Sequence, residues 1–429
     1  MWKLGAPKDI YVGGRPTRRT SPVRRSPTTI YADAATSRVP RPLLLAIGAI
    51  IIAFLVFSLF TCSSQENLAS DENADANAVA PEPTASVSFV AVGDNLIDET
   101  LSDYALACGT DGHYDFAPLY APIRPLVEQA DLSYICQETH LGGADLGIHG
   151  WPSFNSPDDL AGTLVDTGFD LVALASNHCY DFGNFGANEH SREVWNAQPV
   201  AVAGVAASEE EAAAIPVVER EGITFAFLSY TYGLNGFTPE DLPSYAVNFI
   251  SEERLRADLP RARELADVVI VAMHWGTEKV DEPDEDQLAY AQLLADLGAD
   301  IVLGSHPHVI QPVEWVEGAD GHRTLVAYGL GDVKSNHDTP HLESELAGML
   351  ACDFVRETPE AAVTIENVRW IPLVNHIEEG AHAVYPLSDY AEELVARHVF
   401  LSQEENPLEW MRQHTEEVVN SRGANLPIE

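Results

Sequence analysis

Basic side chains are scarce in this 429-residue chain: 24 Lys and Arg stand against 66 Asp and Glu, which gives a formal net charge of -42 at pH 7. A chain this acidic repels the phosphate backbone of nucleic acids, so we expect no nucleic-acid partner. The acidic excess is compatible with an extracellular surface that stays soluble and attracts divalent cations. Charge alone does not define a function.

Cysteine is also rare, with five residues in the chain. Their wide spacing excludes the CxxC patterns that are typical of structural zinc sites and redox proteins. Cys62 is the last residue of an apolar run, and the four other cysteines allow three pairings, between which the sequence does not decide. We expect at most one disulfide.

One long uncharged run, LLLAIGAIIIAFLVFSLFTC, occupies residues 43–62. A helix of this length spans roughly 30 Å, the thickness of the hydrocarbon core of a bilayer. Residues 1–42 before it carry nine Lys or Arg against two Asp. The positive-inside bias therefore predicts a single-pass signal anchor in the cell membrane, with a cytoplasmic N-terminus and an extracellular main domain. A cleaved signal peptide would have shorter segments and an AxA-like site, and a buried core helix is the remaining alternative.

Composition predicts the remaining boundaries. The basic arm, residues 1–42, has no apolar periodicity and is expected to be disordered and to attract anionic lipids. Residues 63–86 are acidic and contain proline, which predicts a linker. The main domain is predicted at residues 87–385, followed by a helical extension at residues 386–429.

Short apolar runs alternate with amphipathic segments from Val87 onward. Several runs are apolar at every position, as in strands buried on both faces of a layered α/β domain. Strands are predicted at residues 87–92, 132–136, 170–175, 199–204, 223–230, 267–275, 300–305, 324–330 and 348–355. Helices are predicted at residues 119–129, 157–167, 184–196, 252–266 and 284–297. The pattern predicts an α/β fold.

Polar side chains cluster where five of the predicted strands end. Strand ends on a rigid sheet are where α/β proteins place their chemistry. The side chains at these ends are carboxylates, an amide and imidazoles: Asp94, Glu138, Asn177, His178, Asp181, His274, His306 and His308. Imidazole combined with carboxylate suits Mn, Fe or Zn. We therefore expect one or two divalent metal ions, and a bridging carboxylate would hold two ions about 3.5–4 Å apart for phosphoryl transfer.

Two of the imidazoles lie in the segment DIVLGSHPHVIQPVEW, residues 300–315. Pro307 restricts the backbone between His306 and His308, so fewer conformations are lost when a metal binds. Each histidine alone is better explained as an ordinary hydrogen-bonded loop residue, and Asp94 as a turn residue. The metal interpretation depends on their joint occurrence.

Six motifs carry a resemblance to a known family. They are VGDNLID, CQETHLGG, SNHCYDFG, MHWGTEK, GSHPHVIQPVE and VAYGLGDV, and they lie between residue 88 and about residue 335. In these motifs the chain resembles the capsule biosynthesis protein CapA family, which is associated with poly-γ-glutamate synthesis and is similar to calcineurin-like metallophosphoesterases. The resemblance implies a four-layer αββα sandwich with a metal site at the strand ends.

The resemblance also implies which residues would bind the ions. Asp94 and His308 would bind the first ion, and Glu138 would bridge both ions. The second ion would be bound, besides the bridge, by Asn177, His274 and His306.

Two further residues would act on the substrate according to this resemblance. His178 would stabilise or protonate the leaving oxygen, and Asp181 would orient that imidazole.

The chain departs from the family pattern at two positions. Leu96 stands where metallophosphoesterases usually have a histidine ligand, so the first ion is short of one ligand and a mononuclear site is possible. Asp332 replaces a usual Asn in YGLGD, which adds a negative charge that would bind a further cation or repel an anionic substrate.

We therefore expect a membrane-anchored protein that acts on poly-γ-glutamate or a similar cell-surface polymer, as a metal-dependent hydrolase or transferase. The first alternative is a non-catalytic assembly or export subunit of a polymer synthase that keeps the fold, in contact with other synthase or export subunits. A surface phosphatase unrelated to capsule is the weaker alternative. The acidic domain repels polyglutamate, so contact would need cations or a basic patch around Arg256, Arg261 and Arg263.

Overall fold

The computed structural model describes residues 84–337 and 341–429. The predicted arm, the apolar run at residues 43–62 and most of the predicted linker lie outside these residues. Within the described part of the chain, no helix is both long enough and apolar enough to cross a membrane.

Fourteen strands of the described residues form two mixed sheets. In chain order they are β1 (Ala85–Asn95), β2 (Leu132–Gln137), β3 (Leu171–Ala173), β4 (Ala201–Ala203), β5 (Val217–Arg220), β6 (Ile223–Thr231), β7 (Val268–His274), β8 (Ile301–Ser305), β9 (Val313–Glu317), β10 (Arg323–Ala327), β11 (Asp332–Lys334), β12 (Leu346–Arg356), β13 (Thr364–Glu378) and β14 (Ala381–Pro386).

Ten α-helices connect or flank these strands in the described residues. They are α1 (Glu99–Cys108), α2 (Ala117–Tyr120), α3 (Arg124–Glu128), α4 (Asp159–Thr167), α5 (Phe185–Asn196), α6 (Glu209–Ala213), α7 (Glu252–Leu265), α8 (Glu285–Asp296), α9 (Glu392–Val395) and α10 (Pro407–Val419).

Each sheet has parallel strands at its centre. The first sheet runs in the order β14-β13-β12-β1-β2-β3-β4, and β11 also pairs with β1. Strands β1 to β4 and β11 are parallel, whereas β12, β13 and β14 are antiparallel. The second sheet runs in the order β5-β6-β7-β8-β10-β9, with β6, β7, β8 and β10 parallel. Parallel strands end at one edge, so their carboxyl ends can build one site.

The two sheets pack face to face across one hydrophobic core. Phe89 of β1, Phe225 of β6 and Phe354 of β12 meet there. Helices α1 to α5 cover the outer face of the first sheet, and α7 and α8 cover the outer face of the second. The layers thus follow in the order helix, sheet, sheet, helix, and α10 packs against the edge of the central core through Leu408 and Met411.

Two glycines allow close approach of strands beside the candidate site. A Cβ atom on Gly93 would lie 1.9 Å from the carbonyl oxygen of Gly331, where β1 meets the start of β11. A Cβ atom on Gly304 would lie 1.8 Å from the carbonyl oxygen of Tyr328. Both distances are far inside van der Waals contact, so only glycine permits this packing.

Each of the nine predicted strands overlaps a strand of the structure. The pattern missed β5, β9, β11, β13 and β14, which are short or carry polar side chains on a half-exposed face. The helix predicted at residues 119–129 is two short helices, α2 and α3. Pro122 and Pro125 explain the break, because proline lacks the backbone N–H that a continuous helix needs.

The four cysteines within the described residues, Cys108, Cys136, Cys179 and Cys352, are all free. Three of them are buried. They therefore contribute to packing and not to cross-linking in this part of the chain.

We expect Phe354→Ala to destabilise the fold by about 3–5 kcal/mol, because it leaves a cavity between the two sheets. The ring centroid of Phe354 lies 5.5 Å from that of Phe89 and 5.1 Å from that of Phe225. Urea denaturation followed by circular dichroism measures the change. Leu265→Ala, at an exposed position, is the control and should change the free energy of unfolding by about 0.5 kcal/mol or less. Equal losses in both variants would contradict the packing described.

Candidate metal centre

The carboxyl ends of strands from both sheets meet at one site. The backbone N–H of His306, after β8, donates a hydrogen bond of 2.8 Å to Oδ2 of Asp94 at the end of β1. Nε2 of His274, at the end of β7, lies 2.7 Å from Oδ1 of Asn177 in the loop after β3. These contacts join residues from two sheets, because the parallel strands end at a common edge.

The imidazoles surround two carboxylates without contacting them directly. His274 places Nδ1 3.9 Å from Oδ1 of Asp94 and Nε2 3.8 Å from Oε1 of Glu138. His308 places Nδ1 4.0 Å from Oδ2 of Asp94 and Nε2 3.9 Å from Oε1 of Glu138. Such distances are too long for hydrogen bonds. They match two ligands of one ion, since ligands about 2.0–2.2 Å from a metal lie roughly 3–4 Å apart.

Several buried polar atoms of this cluster lack hydrogen-bond partners among the described residues. They are Oδ1 of Asp94, both carboxylate oxygens of Glu138 and Nδ1 of His306. Buried polar groups are normally paired, because an unpaired one costs free energy. Oxygen and imidazole donors left free in one place fit a divalent cation, so the residues present are suited to the metal that the sequence predicts.

The structure therefore brings all six predicted metal ligands to one buried location. Two groups of possible ligand atoms within 4.8 Å of one another include five of them: Asp94 with Cys136 and His274, and Glu138 with His306 and His308. The sixth, Asn177, joins through its contact with His274. The roles of the individual ligands stay predictions.

The HPH segment has an unusual backbone. His306 has φ of 95° and His308 has φ of 57°, on either side of Pro307. Positive φ is unfavourable for residues other than glycine, so the surrounding structure must hold these two residues in place. Two hydrogen bonds hold the segment: His306 N–H to Asp94 Oδ2 at 2.8 Å and Lys279 N–H to the carbonyl of Pro307 at 2.7 Å.

Burial changes the protonation of the carboxylates. Burial is the main reason that the pKa of Asp94 is raised to about 7; within this net shift His308 lowers the pKa and the nearby carboxylate of Asp332 raises it. Burial also raises the pKa of Glu138 well above its usual value. Each of these two groups is therefore either protonated and neutral, or ionised with a cation beside it.

The imidazoles respond to the same surroundings in two ways. Burial lowers the pKa of His274 well below its usual value and that of His306 to about 3, so both are neutral and able to bind metal. Burial also lowers the pKa of His308, but Asp332 and Glu138 raise it more, so that its pKa lies well above the usual value.

His178 and Asp181 form a separate hydrogen-bonded pair at the wall of the site. Nδ1 of His178 lies 2.7 Å from Oδ2 of Asp181, and this oxygen also accepts a 2.7 Å bond from the N–H of Phe154. The ring of Phe154 packs edge-on against His178 at 4.7 Å. The imidazole is thereby fixed on one side, and His178 also lines the adjoining cleft.

Several residues at the site escaped the sequence-based prediction. The ring of Tyr232 packs against that of His306 at a tilt of 44°, with 4.6 Å between ring centroids, and burial raises the pKa of Tyr232 to about 12. Asn235 lies at the same wall: its Oδ1 accepts a 3.3 Å hydrogen bond from the amide of Asn177, and its amide nitrogen lies 3.1 Å from Nδ1 and 3.3 Å from Nε2 of His178. Both follow the end of β6, so the rule that located the other strand-end residues would have found them. Cys136 had no spacing signal, and burial raises the pKa of its thiol well above the usual value.

A cleft of about 520 Å³ opens beside the cluster. Its walls include His178 and His308 together with Trp151, whose side chain is 75% exposed at the rim. Besides the histidines, three acidic residues, Asp98, Glu99 and Glu278, and one basic residue, Lys279, line the cleft.

Four other residues considered in the sequence form ion pairs outside the cleft. Glu314 pairs with Arg422 through its Oε2 atom at 2.5 Å and does not line the cleft. The three arginines considered as a polymer-binding patch are paired with acidic residues instead: Arg256 with Glu252, Arg261 with Asp258 and Arg263 with Asp300.

Comparison with known proteins identifies the family. The model of the family described as bacterial capsule synthesis protein PGA_cap matches residues 88–337, more than half of the chain. The chain belongs to this family. The matched region includes all eight predicted site residues.

Three relatives match this chain over part of their own length. The PGA biosynthesis protein CapA of Bacillus subtilis is 31% identical over 176 residues, which are 39% of this chain and 43% of that protein. The capsule biosynthesis protein CapA of Bacillus anthracis is 27% identical over 194 residues, 44% of each chain. A probable polyglutamine synthesis accessory protein of Mycobacterium tuberculosis is 26% identical over 213 residues, 47% of this chain and 55% of that protein. The chain thus spans about half the length of the relatives it matches.

Solved structures are more distant from this chain. A putative 5'-nucleotidase from Staphylococcus aureus is 14% identical with a TM-score of 0.39, covering 78% of this chain and 58% of that one. A 5'-nucleotidase precursor from Thermus thermophilus is 14% identical with a TM-score of 0.41, covering 77% and 59%. Likeness at this level supports no conclusion about the activity of this chain.

We expect Glu138→Gln to reduce the affinity of the full-length chain for Mn²⁺ at least tenfold, because the amide supplies one neutral oxygen where two carboxylate oxygens face the cluster. Equilibrium dialysis with elemental analysis measures bound metal. His113→Gln is the control, since this imidazole is exposed and pairs only with Asp159. Unchanged metal binding in the Glu138 variant would rule out the cluster as the metal centre.

We also expect metal binding to release protons and to strengthen with rising pH. The pKa of Asp94 is about 7 without metal, so below that pH a cation must displace a proton from this carboxyl. Affinity for Mn²⁺ should therefore fall as the pH is lowered from 8 to 6. Isothermal titration in two buffers of different ionisation enthalpy counts the released protons, and an affinity independent of pH would contradict the assignment.

Proposed function

We propose that this member of the PGA_cap family is a membrane-anchored, extracytoplasmic protein of poly-γ-glutamate or related cell-surface polymer synthesis, and that it acts as a metal-dependent hydrolase or transferase. The observation that carries the proposal is the set of unpaired carboxylate and imidazole atoms buried beside a cleft. The family relationship supports the polymer, and the apolar run at residues 43–62 with its basic arm supports the anchor and a cytoplasmic N-terminus.

The predicted ligands provide a place for one or two divalent ions. Asp94, Glu138, Asn177, His274, His306 and His308 would hold them, with Mn, Fe or Zn best suited to this donor set. A bound ion would supply Lewis acidity and a nucleophilic oxygen at neutral pH.

His178 would serve as the general acid in this reaction. Nδ1 of His178 is hydrogen-bonded to Asp181, and Nε2, which lies 3.3 Å from the amide nitrogen of Asn235, would deliver the proton. Asp181 would hold the ring in its orientation through this hydrogen bond, as a carboxylate does for a catalytic imidazole. A proton delivered from Nε2 would allow the leaving oxygen or nitrogen to depart as a neutral group.

The acidic charge of the cleft favours a second candidate function, that of a non-catalytic assembly or export subunit. Asp98, Glu99 and Glu278 oppose the approach of a polyanion, and Lys279 alone does not balance them. A non-catalytic assembly or export subunit would not need to bind the polymer in this cleft. In that case the metal would stabilise the fold and the partners would be synthase or export subunits.

We expect the full-length chain, loaded with Mn²⁺, to hydrolyse a phosphodiester such as bis(p-nitrophenyl) phosphate or a γ-glutamyl oligomer. His178→Ala should lower kcat about 100-fold or more, because it removes the general acid. The metal content of this variant should stay at the wild-type level, and His113→Gln should retain wild-type turnover. Turnover that is unaffected by His178→Ala would contradict the assigned role.

Polymer production in cells separates the two candidates. In a strain that lacks the chromosomal copy, the catalytic proposal requires that His178→Ala and Asp94→Ala abolish polymer production. If both variants restore production while deletion of residues 43–62 abolishes it, the chain acts as an assembly subunit and the enzyme proposal is wrong.

A further inference from the structure

A third group of possible ligand atoms lies next to the predicted metal cluster. It consists of His308, Asp332 and His337, whose ligand atoms lie within 4.8 Å of one another. Oδ1 of Asp332 is 2.8 Å from Nδ1 of His308, and Oδ2 is 2.6 Å from Nε2 of His337. The carboxylate of Asp332 is fully buried, whereas the side chain of His337 is 15% exposed. Neither Asp332 nor His337 belongs to the predicted ligand set.

The position of this group follows from the pairing of β11 with β1. These strands are parallel, with Asp94 opposite Asp332 and Asn95 opposite Lys334. The N–H of Leu96 then donates a 2.8 Å hydrogen bond to the carbonyl of Lys334. The end of β11 therefore runs beside the end of β1, and both strands deliver side chains to the same wall of the cleft.

Strand β1 offers no further ligand on this side after Asp94. The amide group of Asn95 is used by Gln137 and Tyr120, at 2.7 Å each. Leu96 has no donor atom, although it lines the cleft. His337 lines the same cleft, with its ring centroid 5.4 Å from that of His308. Strand β11 and the residues after it thus bring a carboxylate and an imidazole beside the place where β1 is followed by the alkyl side chain of Leu96.

We propose that His308, Asp332 and His337 bind a divalent cation at the Leu96 side of the cleft. His308 would bind this cation through Nδ1, the ring nitrogen 2.8 Å from Asp332, and its Nε2 atom, which faces Oε1 of Glu138 at 3.9 Å, would then carry the ring proton and would not bind the central ion. Two imidazoles and a carboxylate form a donor set suited to Mn²⁺, Co²⁺ or Zn²⁺. Solvent reaches the group through the cleft, which gives the ion a path of entry. The inference rests on the proposed function only in assuming that the chain binds metal.

The test measures metal binding by the full-length chain with Mn²⁺ and with Co²⁺. His337→Gln keeps a polar side chain but removes the imidazole nitrogen, and Asp332→Asn removes the charge. We expect each variant to bind one Mn²⁺ fewer per chain than the wild type, or to bind that ion at least tenfold more weakly. The Co²⁺ absorption spectrum should change in both variants. His113→Gln, another imidazole beside an aspartate, should leave stoichiometry and spectrum unchanged.

Each alternative result has a distinct meaning. If Asp332→Asn weakens metal binding but His337→Gln has no effect, Asp332 only orients His308 through its hydrogen bond, and the proposed site is wrong. If neither variant changes metal binding while Glu138→Gln abolishes it, the central cluster stands and this inference fails. If the wild-type chain binds neither metal, the proposed function fails with it. Thermal unfolding of each variant verifies that it is folded.

Discussion

Two carboxylates buried between two sheets are the constraint on which the site depends. Asp94 and Glu138 are almost completely excluded from solvent, and the surrounding imidazoles stand 3.8–4.0 Å away. Charges in such an environment lose their hydration, and removing one partner of a buried pair is strongly destabilising. The cluster is therefore stable only when protons or cations neutralise the charge of the two carboxylates. Metal affinity consequently depends both on the protonation of the two carboxylates and on the geometry of the strand ends.

The fold meets this constraint by bringing distant parts of the chain together at one edge. The hydrogen bond between His306 and Asp94 joins residues 212 positions apart. The inter-sheet core around Phe225 and Phe354 fixes the distance between the sheets, and glycines at positions 93 and 304 let the strands approach closely there. Packing far from the cleft thus determines the separation of the ligands, because a close-packed core transmits displacement.

The sequence predicted the central strands and the residues at their ends, since apolar runs followed by polar residues are a local signal. It did not predict Asp332 and His337 as neighbours of His308, because this proximity arises from the pairing of β11 with β1. Strand β11 has three residues and too weak a pattern to be recognised. Tyr232 and Asn235 also follow a strand end, but the end of β6 was not among the five strand ends at which site residues were sought. Whatever depends on pairing between strands lies beyond the reach of a local pattern.

The left-handed backbone at His306 and His308 has an evolutionary consequence. Glycine would relax either position, because it adopts positive φ without a steric penalty. Glycine would also remove an imidazole. Each substitution would therefore exchange a candidate metal ligand for a less strained backbone. A homologue that binds no metal at this place would therefore tolerate glycine at either position.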